Sequence, residues 1–258
     1  MEELSAAAIT RDLKTSLVGR EVIYYPSLTS TMEVAKRVAR SGAAEGTVII
    51  AGEQTGGWGR LGRGWLSPPG NIALSVILSP QLTYVPYLIM LASLAVVHTI
   101  ESVTGLKPQI KWPNDVLVNS KKVSGILIES DIRKDKVNFA VIGVGINVSL
   151  KPADFPAIQT IATSLSGELG GEVSRVGIVR RLLVELDRLC LILPGGKVIY
   201  EEWRDRLETL GKKVRVKSGD AVYEGVAESV AENGSLLLRQ PDGSLVKIVA
   251  GDVATLHI

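Results

Sequence analysis

The 258-residue sequence is poor in the residues that build crosslinks and metal centres. One cysteine, Cys190, excludes an intrachain disulfide framework and any multi-cysteine metal cluster. Two histidines, His98 and His257, leave a zinc site almost without ligands. Net charge is scarce too: 29 Lys and Arg against 27 Asp and Glu leave +2 with both histidines neutral. That balance gives no general polyanion-binding field, so nucleic acid would require a local basic patch. Residues 1–19 carry Glu2, Glu3 and Asp12 among scattered apolar residues, without the basic start and continuous apolar stretch of a signal peptide. With 46% apolar residues the chain is too hydrophobic for disorder, and long enough for one large domain or a medium one plus a small one. These limits leave a soluble, cytoplasmic, globular protein of mixed helix and strand.

Residues 66–100 contain no Asp, Glu, Lys or Arg. A membrane span needs about 20 predominantly apolar residues. Here Pro68-Pro69-Gly70, Ser79-Pro80 and Pro86 divide the segment into a turn, a strand over 72–78 and a buried helix over 87–103 closed by Gly105. A helix is expected over 31–40, with Gly42 as its stop, and short strands at 47–51, 125–129 and 137–144. Residues 174–193 read as an amphipathic helix, capped by Ser174 and stopped at Pro194-Gly195-Gly196, and a further helical stretch ends near Leu210-Gly211. The character changes at Gly211. Five short alternating runs follow, with Asn233-Gly234 and Asp242-Gly243 as hairpin signals, so a small closed barrel is expected over 211–258 behind a first domain over 1–210.

Gly57-Trp58-Gly59-Arg60-Leu61-Gly62 fits G-x-G-x-x-G, but no acid occurs before Glu101 and Trp65-Leu-Ser-Pro-Pro-Gly70 prevents the helix a dinucleotide fold requires. Kinase and P-loop signatures are missing as well. The stretch still offers backbone N–H groups with Arg60 and Arg63 three residues apart, a combination suited to phosphate or carboxylate. A solvated surface loop is the alternative on composition alone. Lys111-Trp112-Pro113-Asn114-Asp115 adds a cation, an amide and a carboxylate beside a rigid Trp-Pro pair. Lys121-Lys122 leads into Val123-Ser124-Gly125, and Gly143-Val-Gly-Ile-Asn147 puts glycines where a flat group could approach the backbone.

In this order, and over nearly the whole chain, these elements resemble the biotin protein ligases. The resemblance rests on Ser30-Thr31 before a helix, residues 54–65, Lys111 to Asp115, Lys122-Val-Ser-Gly125, Gly143 to Asn147 and the C-terminal β domain. Two positions depart from the family pattern: Trp58 replaces the first loop arginine, and Met32 stands where the Ser-Thr pair is usually followed by Asn. About 20 residues precede Glu21, too few for the N-terminal DNA-binding domain of the repressor members, so a single-function ligase is expected.

The resemblance implies an α+β fold: a mixed β-sheet catalytic domain packed with helices, like class II synthetases, plus a small SH3-like β-barrel. It implies joining of biotin to ATP, with Mg²⁺, to give biotinyl-5′-AMP, then transfer to a lysine of a biotin carboxyl carrier protein. It also allows a homodimer through sheet edges, for which the sequence carries no signature, and involves neither nucleic acid nor membrane. Lys122 would bridge the biotin carboxylate and the α-phosphate, with Arg60 and Lys111 as further catalytic cations. Biotin would meet Ser30, Thr31, Met32, Gln54, Gly57, Trp58, Gly59, Arg60, Lys122 and Gly125. ATP would meet Arg60, Arg63, Trp65, Lys111, Asn114, Asp115 and Asn147, with Asp115 touching magnesium and the Asn147 amide reading adenine. Trp65 and Trp112 also read as wedges fixing loop ends. Cys190 lies within a helix and reads as core, unlike the catalytic thiol of the octanoyl transferases, and His98 and His257 read as structural or incidental. The rivals are a lipoate–protein ligase and an inactive biotin- or nucleotide-binding protein. A nucleic-acid-binding β module is a weaker third, because Tyr223 is the sole aromatic residue of the C-terminal segment.

Overall fold

A computed structural model describes residues 2–256; His257 lies outside them. The first 210 residues carry a seven-stranded mixed sheet. Its strands are β1 (Val22–Tyr25), β2 (Val48–Ala51), β3 (Ile72–Leu78), β4 (Gln109–Lys111), β5 (Asp115–Val118), β6 (Lys121–Arg133) and β7 (Lys136–Ile146). They lie in the order β1-β2-β3-β7-β6-β5-β4, and only β1 and β2 run parallel. That parallel pair is joined by α2 (Thr31–Arg40), since parallel neighbours need a crossover. Glu33 in its first turn and Arg37 and Arg40 in its last complement the helix dipole.

Strands β2 and β3 are buried along their whole length, as uninterrupted apolar runs require. Residue parity decides what each face meets. Val48, Ile50, Ile72, Leu74, Val76, Ile142 and Val144 face the main core with α3 (Leu88–Thr104) and α5 (Arg175–Ile192). Ile49, Ile77 and Val141 face the other way, onto Met32, Val34 and Ala35 of α2. The stretch Leu82–Thr104 is long and apolar enough to cross a membrane; here it is largely buried, and α3 forms the core helix of the main layer. Gly105, at φ +72°, ends α3 in the left-handed conformation that glycine adopts without strain.

Two short helices, α1 (Ala6–Thr10) and α4 (Leu165–Leu169), flank this body. The N-terminal segment is tied down by Asp187 of α5, whose carboxylate accepts hydrogen bonds from the backbone N–H groups of Ser16, Leu17 and Val18. Ser174 caps α5 as expected, accepting from Gly177 N–H. The Pro194-Gly195-Gly196 stop is shorter than expected: one tight turn leads straight into α6 (Gly196–Asp205), which ends before residue 210. Proline is tolerated there because first-turn N–H groups need no helical partner.

The C-terminal segment forms β8 (Lys213–Ser218), β9 (Ala221–Val230), β10 (Leu236–Arg239), β11 (Leu245–Ile248) and β12 (Asp252–Thr255). They make an antiparallel sheet in the order β11-β10-β9-β8-β12. Five short antiparallel strands fit the expected SH3-like β domain, and among the described residues β11 and β12 end the strand order without pairing with each other. It docks firmly on the larger body: Trp112 Nε1 donates to Gly234 O at 2.8 Å, and Tyr200 Oη to Val230 O at 2.7 Å.

Candidate active site

The cleft begins as a row of missing side chains. Directly paired residues in the antiparallel strands share a face, and the rung Ala51, Ala73, Gly145, Gly125, Asp115, Lys111 crosses six strands on the α2 side of the sheet. The next rung carries Ser75, Gly143 and Leu127. Small residues beyond the cover of α2 leave a depression, and two large side chains enter it. Met32 Sδ lies over Gly143, where a Cβ would stand 2.6 Å from it, and the Trp65 indole lies so close over Gly145 that no Cβ fits there.

A β-bulge brings in the central cation. Val116 pairs with Ser124 but Leu117 pairs with Lys122, so β6 carries one extra residue, Val123, which is fully buried in the core. By absorbing Val123, the bulge keeps Lys122 on the face of Gly125 and Asp115 although three residues separate it from Gly125. Lys122 Nζ stands 2.7 Å from Asp115 Oδ1, an ion pair outside hydrogen-bond directionality, and 5.4 Å from the Trp65 ring centroid.

The cleft has two chemically distinct ends. At one, Thr31 N and Oγ1 both donate to Gln54 Oε1 at 2.8 and 3.0 Å, and Ser75 Oγ donates to Thr31 Oγ1 at 2.9 Å. This chain saturates Gln54 Oε1 and leaves its Nε2 as the donor for a ligand. Ser30 begins α2 without a side-chain capping bond, so its hydroxyl is not spent on the helix. Trp58, Met32 and Leu127 supply apolar wall. At the other end Arg60 Nη1 donates to Asn114 Oδ1 (3.1 Å) and to Gly251 O (3.2 Å), while Arg63 pairs with Asp252. Burial lowers the pKa of Arg60, and the hydrogen bond to Asp252 raises that of Arg63. A polar anchor, an apolar wall and a cationic end in one cleft suit an acid with a polar-edged body beside a polyphosphate.

The comparisons with known proteins agree in kind. Residues 24–147 match the biotin/lipoate A/B protein ligase family, and residues 209–255 match the biotin protein ligase C terminal domain. The chain is 37% identical over 257 residues to the bifunctional ligase/repressor BirA of Bacillus subtilis, covering 97% of this chain and 79% of that one. It is 33% identical to the biotin–[acetyl-CoA-carboxylase] ligase of Mycobacterium tuberculosis, covering 96% and 95%. The chain belongs to the biotin protein ligase family. The fold agrees: the biotin protein ligase of Aquifex aeolicus, solved with biotin and ATP, superposes with a TM-score of 0.77 at 28% identity, covering 93% of this chain and all of that one.

Against this family frame, most of the residues singled out in the sequence line one cleft: Ser30, Thr31, Met32, Gln54, Trp58, Gly59, Arg60, Arg63, Trp65, Asn114, Asp115, Lys122 and Gly125. Three do not. Lys111 shares the cleft face but lies one strand beyond Asp115, outside the lining. Gly57 sits behind the wall, its carbonyl accepting from Trp65 N, in a space too tight for a Cβ beside Gln54 Nε2. Asn147 is buried and spends its amide on Thr163 O at 3.0 Å, bracing the backbone instead of facing a base.

The wedge expectation is met by Trp112, which is buried, but not by the Trp65 ring, which lies in the cleft. The flat group over Gly145 is thus the protein's own indole. His98 is structural as expected, held by Glu202 at 2.6 Å beside the buried Glu185. Ser75, Glu129 and Asp252 were not singled out: a lone serine in an apolar strand, a strand-end glutamate and an acid 189 residues from its partner leave no local motif.

Proposed function

We infer that the chain is an ATP-dependent biotin–protein ligase, which activates biotin to biotinyl-5′-AMP and passes the biotinyl group to a protein lysine. Family membership over nearly the full chain carries the reaction. The observation in this structure that supports it best is the bulge-placed Lys122 between a hydrogen-bonding end and an arginine-lined end. In this reading biotin lies over Gly143 and Gly125, its ureido ring meeting Ser30, Thr31 and Gln54. ATP lies against Arg60, Arg63, Asn114 and Asp115. Lys122 neutralises the approach of the carboxylate to the α-phosphate, the kind of fixed charge that dominates many catalytic effects. Trp65 and the loop keep water from the mixed anhydride.

Magnesium belongs to this scheme as part of the nucleotide substrate. Among the described residues no three potential metal ligands cluster, and the two carboxylates at the cationic end, Asp115 and Asp252, are each paired. Such a set does not make a resident metal site; it fits a triphosphate-borne ion touched by Asp115. We further assign the acceptor as a biotin carboxyl carrier protein, residues 1–210 as the catalytic unit and 211–258 as the C-terminal unit, and keep a homodimer through sheet edges as part of the proposal.

The test is labelled-biotin transfer to a carrier domain with ATP and Mg²⁺. The expected result is transfer that requires ATP, with no transfer of lipoate. Lipoate accepted in place of biotin would give the rival ligase reading, and saturable biotin binding without pyrophosphate release would give a binding protein.

A further inference from the structure

We propose that Glu129 and Lys36 are positioning residues that hold Trp58 as a rigid wall of the acid-binding end, and that Trp58 held in this way sets which acid is activated. This rests on the ligase reading above. Trp58 Nε1 donates to Glu129 Oε1 at 3.4 Å. The other carboxylate oxygen, Oε2, accepts from Lys36 Nζ at 2.6 Å, and that same ammonium stands 5.4 Å from the Trp58 ring centroid. One carboxylate therefore holds the indole by its edge and, through Lys36, by its face.

The three residues come from three elements. Glu129 pairs with Val141 in the β6–β7 ladder, which puts it on the cleft face two residues beyond Leu127. Lys36 is four residues after Met32, so it lies one helical turn further along the same side of α2. Met32 and Trp58 line the cleft; Lys36 and Glu129 do not, and their side chains are 24% and 32% exposed. The order from inside to outside is cleft, indole, ion pair. An ion pair this exposed adds little stability by itself, and its position against an aromatic face gives it another use.

The consequence is chemical selection. Trp58 stands where the family loop pattern has arginine, and it replaces a long charged chain with a flat apolar plate. A compact ring-bearing acid, particularly one with a thioether that can rest on an aromatic surface, packs its whole face on a fixed plate. A linear acyl acid presents no such face. Gln54 then reads the polar edge of the ring while Trp58 reads its body.

The experiment measures acid-dependent pyrophosphate release with biotin, desthiobiotin and lipoate, in the wild type and in Glu129→Gln, Lys36→Met, Lys36→Arg and Trp58→Phe. Glu129→Gln and Lys36→Met are expected to raise the biotin KM by about three- to tenfold, the scale of one or two weak contacts to an aromatic ring. They should leave kcat within about twofold and narrow the preference for biotin over desthiobiotin. Lys36→Arg, which keeps both cation and ion pair, should restore the wild-type KM, and Trp58→Phe should match or exceed the loss in Glu129→Gln. Unchanged KM and unchanged preference in Glu129→Gln and Lys36→Met, with biotin-dependent release intact in the wild type, would overturn this inference alone. No biotin-dependent release from the wild type would overturn the ligase reading, and this inference with it.

Discussion

Arg63 and Asp252 stand 189 residues apart in the sequence, and the guanidinium of the first donates to the carboxylate of the second across the mouth of the cleft. With Arg60 on Gly251 O, this ties both arginines of the glycine-rich loop to the leading edge of β12. A nucleotide phosphate seeking Arg63 must displace a carboxylate. Asp252→Asn is therefore expected to lower the KM for ATP by about two- to fivefold, the most an exposed ion pair of this kind commonly supplies. Arg63→Ala should raise it. Initial rates at varied ATP check both, and a higher ATP KM in Asp252→Asn would contradict the competition.

Lys122→Ala is expected to reduce biotin transfer by at least ~100-fold, the scale of one preorganised electrostatic group. The substitution also leaves the Asp115 carboxylate without its cation, so Asp115→Asn in the same background should recover thermal stability without recovering activity. Transfer assays and melting curves on the two single variants and the double variant separate the two effects.

Gly145→Ala tests the seat of Trp65. A methyl group there collides with the indole, so the ring must leave the cleft. We expect at least ~10-fold lower ligation, since a displacement of about 1 Å near reacting groups costs that much or more. Indole emission should shift to the red as Trp65 meets water. An active variant with unshifted emission would show that the seat has slack.

The strands and helices that form the sheet were legible because their patterns are local. Residues 72–78 and 31–40 have the structure their apolar spacing predicts. The cleft residues were legible only as a set in family order, since each motif alone has an ordinary structural reading. Two features escaped for physical reasons. The bulge at Val123 breaks alternation by one residue, which a short Lys-Val-Ser-Gly run cannot display. Asn147 looks available for a base, yet its burial against Thr163 depends on a loop distant in sequence.

Asp187 gives a stability prediction away from the cleft. Its buried carboxylate accepts three backbone N–H groups, at 2.7 to 2.9 Å. Asp187→Ala should destabilise the protein by roughly 2–4 kcal/mol, because three bonds to a charged acceptor are lost and the buried Val18 N–H is left unmet. Urea unfolding measures it, and proteolysis should then cut first near residues 16–18.

Cys190 supplies the pH test. Burial pushes its thiol from 9.0 up to about 12. A raised folded-state value favours the neutral form, so this contribution is complete below pH 9 and is lost as the pH climbs toward 12. At pH 8 the native thiol should react with iodoacetamide at least ~100-fold more slowly than in the unfolded chain, because the thiolate is the reactive species. Equal rates would place Cys190 in solvent.

The bulge at Val123 frees the placement of Lys122 from strand parity. Side chains along a regular strand alternate, so an offset of three from Gly125 would turn the ammonium into hydrocarbon, and the bulge prevents this by absorbing Val123. Deleting Val123 would regularise the ladder with Ser124 still opposite Val116 and Lys122 still opposite Leu117, so the ammonium would keep its side and the core would lose one buried valine. Among descendants of this sequence, loss of that one codon would therefore register first in stability, with the polar face of the cleft unchanged.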